Sequence, residues 1–305
     1  DMMSWQAYRL VFQLKSPLHI GWRKTGNLMQ TRYYVPGRIW WGAVTASLAQ
    51  WMRDTSYVRI GELVKKYLRF GYFFPAENID APLYPNLSVA NPSTGPFYGN
   101  RLEKDFEAQF ISVQTSTAIA PEVNVAEEAS LHEVEFIKPW LNLGKPVYLV
   151  GHLFVRQSEE IAIEKNDVKV HGFSLFSQVI DSLQIGGERR YGFGWLKLCR
   201  DKCRPVNDVF GYPLDQQGDC CCITVPENNP LLAHAAMDSS CLEGPVEPLV
   251  GREWAPRHGP GRQVVLIGLC YVPGSIVVSD TIFTIGEYGI WEQIRCEITK
   301  HRDRF

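Results

Sequence analysis

Residues 185–194 read Ile185-Gly-Gly-Glu-Arg-Arg-Tyr-Gly-Phe-Gly194. The segment stands between a helical pattern over 173–183, with Phe173, Phe176, Ile180 and Leu183 on one side, and a strand-like run, Trp195-Leu-Lys-Leu-Cys199. Glycine tolerates positive φ and lets a second backbone approach closely. Gly186, Gly187, Gly192 and Gly194 therefore predict a tight helix-to-strand connection pressed against another part of the chain. Peptide N–H groups in such a turn can hold phosphate oxygens. Arg189 and Arg190 add strong phosphate donors, and the Tyr191 ring can stack on a base. A plain tight turn would use the same glycines. Dinucleotide and P-loop fingerprints follow a strand and open a helix, the reverse of the order here, and the P-loop also needs a Lys-Ser/Thr that is missing.

Around this segment the pattern is α+β. Residues 6–14 alternate and are rich in aromatic and β-branched types, which predicts a strand. Ser16-Pro17 ends it, and a loop is expected through Gly21, Gly26 and Asn27. A helix follows from Pro36-Gly37, with Trp40, Val44, Leu48 and Trp51 at helical spacing. Trp40, Trp41 and Trp51 read as core. A second helix is expected over 60–70, an irregular surface segment over 75–98, and paired strands over 132–138 and 146–155. The last hundred residues start afresh, with strands over 221–225 and 263–272 and a partner for the second over 276–285. Turn residues over 207–218 mark a boundary, dividing the chain into 1–206 and 207–305. The order of elements in the first part is compatible with a ferredoxin-like β-α-β-β-α-β unit carrying insertions.

The net charge of −2 hides an asymmetry. Between Trp5 and Arg53 there is no Asp or Glu, while Arg9, Lys15, Arg23, Lys24, Arg32, Arg38 and Arg53 are present. From Glu103 to Glu135 the sign reverses: Glu103, Asp105, Glu107, Glu122, Glu127, Glu128, Glu133 and Glu135 stand against Lys104 alone. One basic face for a polyanion and one acidic face turned elsewhere would produce this pattern, as would two solvated surfaces. All eight cysteines fall at or after residue 199. They lack the CxxC or His-pair spacing of a zinc site, so no metal is expected and buried, inert thiols are. No cofactor is implied. No apolar run is long enough for a membrane helix, and the first residues lack the pattern of a signal peptide, so a cytoplasmic setting with no membrane partner is expected.

Three segments of the first part, and one of the last hundred residues, then carry a family resemblance. Gly186-Gly-Glu-Arg-Arg-Tyr-Gly-Phe-Gly194, after the second helix, resembles the glycine-rich loop of the RAMP superfamily of CRISPR proteins. Lys15-Ser-Pro-Leu-His-Ile-Gly21, followed by Tyr34-Val-Pro-Gly-Arg38 and Gly42-Ala43, resembles the family's first strand, loop and helix entry. Thr115-Ser-Thr-Ala118, then Leu131-His-Glu-Val-Glu-Phe136, resembles its central strand region. Cys270-Tyr-Val-Pro-Gly-Ser-Ile276 is similar to a strand in the second, degenerate domain of the subunits that cap type III complexes. The resemblance implies a ferredoxin-like (RRM-like) RAMP domain over 1–206 with its glycine-rich loop at 185–195, and a smaller, degenerate ferredoxin-like domain over 207–305.

The resemblance leaves three roles open. Backbone subunits, which line the guide–target duplex, cut target RNA with an Asp between the first strand and first helix. That loop here runs from Gly21 to Tyr34 and holds no carboxylate. Guide-processing endoribonucleases use a His near the start of the chain, and His19 is the only candidate before residue 132; a packed histidine is the plainer reading. The capping subunit grips the 5′ handle of the guide RNA and contacts the large polymerase-like subunit and other RAMP backbone subunits, meeting target RNA indirectly. The acid-free loop and the second domain fit this role best, with no catalytic residue. It implies RNA contacts from Arg23, Lys24, Arg32, Tyr33 and Arg38, from Gly186, Gly187, Arg189, Arg190, Tyr191, Gly192 and Gly194, and from a second loop with Arg252, Arg257 and Arg262. Trp22 is an alternative stacking ring to Tyr33, and His258 belongs to the second loop. Outside the family, a soluble enzyme holding a phosphate-bearing substrate at the glycine segment is the competing reading, although no nucleophile elbow, Cys-His signature or HExxH accompanies it.

Overall fold

The computed structural model describes residues 5–87, 95–116, 119–120, 125–126, 132–157, 177, 179–217, 219–255 and 259–294. The fold is mixed α+β and rich in strands. The first part contains β1 (Trp5–Leu14), β2 (Gly21–Thr25), β3 (Leu28–Thr31), α1 (Gly37–Met52), α2 (Tyr57–Tyr67), β4 (Leu68–Phe70), β5 (Phe74–Ala76), α3 (Glu103–Phe110), β6 (Ile111–Ser116), β7 (His132–Ile137), β8 (Tyr148–Arg156), β9 (Ser182–Gln184), β10 (Trp195–Leu198) and β11 (Arg204–Val206). The second contains β12 (Asp208–Val209), β13 (Tyr212–Gln217), β14 (Cys220–Val225), β15 (Ala235–Ala236), β16 (Val246–Ala255), β17 (Gly259–Tyr271), β18 (Thr281–Ile285) and β19 (Trp291–Gln293).

The first sheet runs β9-β10-β1-β8-β4, with β11 also on β1 and β5 also on β8, antiparallel at every pairing. The pleat sends alternate residues of β1 to opposite faces. Leu10, Phe12 and Leu14 join Trp40, Val44 and Leu48 of α1 and Ile60 and Val64 of α2 in one core. Trp5 and Ala7 join Phe74 and Phe154 in a second core with Ile223, Val225, Phe283 and Trp291 of the second sheet. That sheet runs β12-β13-β14-β18-β19-β15-β17-β16. One face of the first sheet is thus covered by helices and the other by the second sheet. Trp40 sits at the centre, its ring 4.1 Å from Phe73 and 4.8 Å from Phe12.

Several expectations change. The loop expected after β1 is a hairpin, β2–β3, turning at Gly26 with φ +60°. The strands near 132–138 and 146–155 form, but in different sheets. β8 is buried almost throughout and takes a central place between β1 and β4, whereas β7 pairs with β6 and, in parallel, with β3. Trp51 is 48% exposed, because the buried row of α1 keeps four-residue spacing from Trp40 through Val44 and Leu48 to Met52. The irregular segment holds β5 and short strands at Pro85–Asn86 and Phe97–Tyr98; residues 88–94 lie outside the described ones. Of the helix expected over 173–183, residues 173–176 lie outside the described residues and Leu183 is in β9. The stretch 276–285 splits: Ile276–Val277 pairs with Leu242–Glu243, while β18 pairs with β14 and β19. The turn between them is held by Asp280, whose carboxylate accepts the Glu227 N–H at 2.8 Å. The 207–218 stretch is itself a hairpin, β12–β13, turning at Phe210 and Gly211.

Candidate nucleic-acid interface

The glycine loop folds onto the segment that follows β1. The Gly194 N–H donates to the Pro17 carbonyl at 2.7 Å, the Gly187 N–H to the His19 carbonyl at 2.9 Å, and the Trp195 N–H to Ser16 Oγ at 2.9 Å. The far edge of that segment pairs with β7, where Leu18 and Ile137 exchange backbone hydrogen bonds of 3.1 and 2.8 Å. Residues 15–20 therefore run between the loop and β7. Gly186 and Gly194 have φ of +78° and +82°. A Cβ at Gly186 would overlap the His19 carbonyl oxygen, and one at Gly194 the Ile185 carbonyl oxygen. These glycines are needed both for their dihedrals and for the close approach.

With its base fixed, the loop presents its tip. Arg189, Arg190 and Tyr191 form a 3-10 turn, and all three are exposed, Tyr191 at 73%. Gly192, φ +84°, has open space where a Cβ would stand. Gln184 steadies the turn from beneath, donating at 2.9 Å to the carbonyls of Arg189 and Phe193. Hairpin β2–β3 emerges from the same segment 15–20, and every residue of β2 is exposed. Arg23 lies 3.9 Å over the Trp22 ring and donates to Gln30 Oε1 at 3.0 Å. Lys24 is also exposed. The arrangement offers cationic donors, open backbone and two aromatic surfaces, which is what sequence-tolerant binding of a single strand uses.

Three of the expected RNA contacts are buried or paired within the chain. Tyr33 is buried against Tyr98 and Phe106, and its hydroxyl donates to Glu107 Oε1 at 2.6 Å. The Arg32 side chain is only 11% exposed and donates to Glu247 Oε1 at 2.5 Å and Tyr34 Oη at 3.0 Å. Arg38 is ion-paired with Glu253, packed on Gly251 and stacked 4.4 Å over Tyr288. These two cations are taken up by carboxylates of the second part. Arg252 is exposed on β16, opposite Val264. Arg257 and His258 lie outside the described residues, and of Arg262 only the backbone, in β17, is described. Thr117, Ala118, Leu131, Glu122, Glu127 and Glu128 also lie outside them.

His19 is 5% exposed. Its Nδ1–H donates to the Glu135 carbonyl at 2.7 Å, and Gly187 covers the ring edge. The expected packed histidine fits this setting better than a general acid that must reach a ribose. Acids absent from the 21–34 loop are supplied from elsewhere, yet each has a structural partner: Glu135 accepts the Thr31 N–H at 2.9 Å and Glu107 accepts from Tyr33. Burial pushes the Glu135 carboxyl above its ordinary range despite the Thr31 hydrogen bond. Among the described residues no group of His, Cys, Asp and Glu could hold a metal ion.

Sequence reasoning missed the polar group that ties hairpin β2–β3 to the second part. Glu247 accepts from Arg32, from His234 Nε2 at 2.7 Å and from Trp22 Nε1 at 2.9 Å. A carboxylate only accepts, so His234 carries its proton on Nε2, and Nδ1 accepts from Tyr72 Oη at 2.6 Å. Burial pushes the Glu247 carboxyl up, but hydrogen bonds from His234, Arg32 and Trp22 together with the Arg32 charge outweigh it and hold the group at about 2. The signal available in the sequence was a histidine inside the apolar run Leu231-Leu-Ala-His-Ala-Ala236.

No family model matches the chain, and no curated protein matches it. Solved structures do. The chain is similar to one in the cryo-EM structure of type III-B Cmr-beta in the apo state, at 11% identity over 66% of this chain and 98% of that one, with a TM-score of 0.38. It is also similar to a chain of type III-B Cmr-beta bound to cognate target RNA, at 14% identity over 88% and 86%, with a TM-score of 0.49. For the same assembly bound to cognate target RNA and AMPPnP, state 1, the figures are 14%, 88% and 85%, and 0.48. No described helix is long and apolar enough to cross a membrane.

Proposed function

We propose that the chain is a non-catalytic RNA-binding subunit of a type III CRISPR effector, gripping the 5′ handle of the guide RNA beside the large subunit and the RAMP backbone subunits, in the cytoplasm. The carrying observation is the glycine loop. Its base is hydrogen-bonded to residues 17–19, so Arg189, Arg190, Tyr191 and Gly192 project as a preformed turn, while exposed Trp22, Arg23 and Lys24 leave the same segment. In this reading Arg23, Lys24, Arg189 and Arg190 meet phosphates and Tyr191 or Trp22 stacks on a splayed base. Arg252 is a candidate for a second contact.

The proposed architecture is a ferredoxin-like RAMP domain over 1–206 and a degenerate one over 207–305. The antiparallel order β10-β1-β8-β4 supports the first. The absence of carboxylates between Gly21 and Tyr34 and the burial of His19 support a holding rather than a cutting role. The test is purification followed by gel-shift with an RNA carrying the 5′ handle. Co-purified short RNA with high absorbance at 260 nm, and a shift lost on Arg189→Ala with Arg190→Ala, are expected. A nucleic-acid-free protein that binds no handle RNA alone or with its partner subunits sinks the reading.

A further inference from the structure

Three nitrogen-bearing side chains stand in a row on the face of the first sheet turned towards the second. Arg9 of β1 is registered with His152 of β8 on one side and with Arg204 of β11 on the other. Residues directly opposed on antiparallel neighbours share a face, with Cβ atoms about 5 Å apart. All three line a cleft of about 150 Å3 together with Asp80, Asp208 and Phe210.

The row is unfavourable as it stands. Like charges opposed across a sheet destabilise it, and burial together with Arg204 lowers the Arg9 pKa. His152 is buried, and its Nδ1 has no hydrogen-bond partner. A buried polar atom left so has lost its water without gaining a partner. The carboxylates of the cleft relieve this only in part: Asp80 and Asp208 favour the Arg9 charge, but burial and Arg204 outweigh them. Asp80 is 74% exposed and 3.7 Å from Arg9, and Asp208 accepts the Gly211 N–H at 2.8 Å. Arg204 is exposed and makes no ion pair with another described residue.

We infer that this cleft binds a tetrahedral oxyanion, a phosphate or a terminal phosphoryl group, between Arg204, Arg9 and His152. An anion there offsets the opposed arginines and accepts the Nδ1–H of neutral His152, so a single ligand relieves both defects. Arg9 is already positioned, since its Nη2 donates to the Ile79 carbonyl. The cleft shares no residue with the glycine-loop surface, so it does not depend on the RNA reading.

Calorimetric titration of the full chain with inorganic phosphate at fixed ionic strength tests the inference. One site is expected, weakened at least tenfold by Arg204→Gln, an exposed position on a short strand, and unchanged by Arg59→Gln, an exposed arginine of α2 paired with Asp54 on the opposite side of the first sheet. Competition with 5′-phosphorylated and unphosphorylated trinucleotides identifies the source. Displacement by the phosphorylated form alone marks a nucleic-acid end, and displacement by neither marks a free anion, both in keeping with the site. No phosphate binding, or an Arg204→Gln titration like the wild type, overturns it.

Discussion

Gly187 lies flat against His19: its N–H donates to the His19 carbonyl at 2.9 Å, and a Cβ on Gly187 would stand 2.9 Å from His19 Cδ2. The loop that offers cations to solvent and the histidine that could have been catalytic are therefore one packed unit. The same contact that shapes the loop closes off the ring.

Two glycines of this loop separate shape from substance. Gly192→Ala meets open space and costs only the left-handed conformation, about 1–2 kcal/mol. Gly194→Ala also drives a Cβ into the Ile185 carbonyl, and overpacking raises the loss to about 3 kcal/mol or more. Urea denaturation should show this order, and handle-RNA binding should survive Gly192→Ala far better than Gly194→Ala. Equal losses of stability at the two positions would refute the packing account.

Arginines at the tip and arginines in the interior should answer salt differently. Arg189→Ala with Arg190→Ala removes up to two phosphate contacts, so the slope of log K against log salt should flatten by about 1.4, at ~0.7 per contact for a single strand. Arg32→Ala should leave the slope unchanged and lower stability, because Glu247 loses the cation that compensates it. A flattened slope in the Arg32 variant would mean its guanidinium reaches RNA.

Much of the first sheet was legible because it follows simple periods. The alternation in 6–14 and the helical spacing of Trp40, Val44 and Leu48 describe elements whose one face is core, and the structure buries those residues. The glycine segment was legible as a close approach. What it approaches, His19, is 168 residues away from Gly187 in the chain (187 − 19), and no local pattern carries that pairing. The fates of Arg32, Tyr33 and Arg38 were hidden for the same reason. Their partners Glu247, Glu107 and Glu253 come from distant elements, so a run free of acids read as a free basic face. Strand pairing suffered likewise, since β7 and β8 are neighbours in sequence but each hydrogen-bonds to a strand far from both.

His19→Gln should not alter RNA processing. With its ring buried and Nδ1–H bonded to the Glu135 carbonyl, the substitution acts on stability, costing about 1–3 kcal/mol through the lost buried hydrogen bond. Guide-precursor RNA incubated with wild type and variant should remain uncut by both. Cleavage by the wild type that disappears in the variant would establish a processing enzyme and defeat the holding role.

Glu247 makes acid stability a readout of the link between the two parts. Its folded pKa, held at about 2, lies below the unfolded carboxylate value of about 4.3. The stabilisation is therefore present above pH ~4.3 and lost as pH falls towards about 2, on the order of 3 kcal/mol in all. Glu247→Gln should remove that acid-dependent component, and at neutral pH cost about 3–5 kcal/mol by leaving Arg32 buried without its counter-charge. His152, pushed down to about 3 by burial and by Arg9, adds a separate loss that begins as pH drops below about 6.5, where the unfolded chain takes up its proton first. That part should be common to both proteins. Urea midpoints measured from pH 7 to pH 3 distinguish the two, and a Glu247→Gln variant that keeps the wild-type slope below pH 4.3 would show that Arg32, His234 and Trp22 do not hold the carboxylate charged.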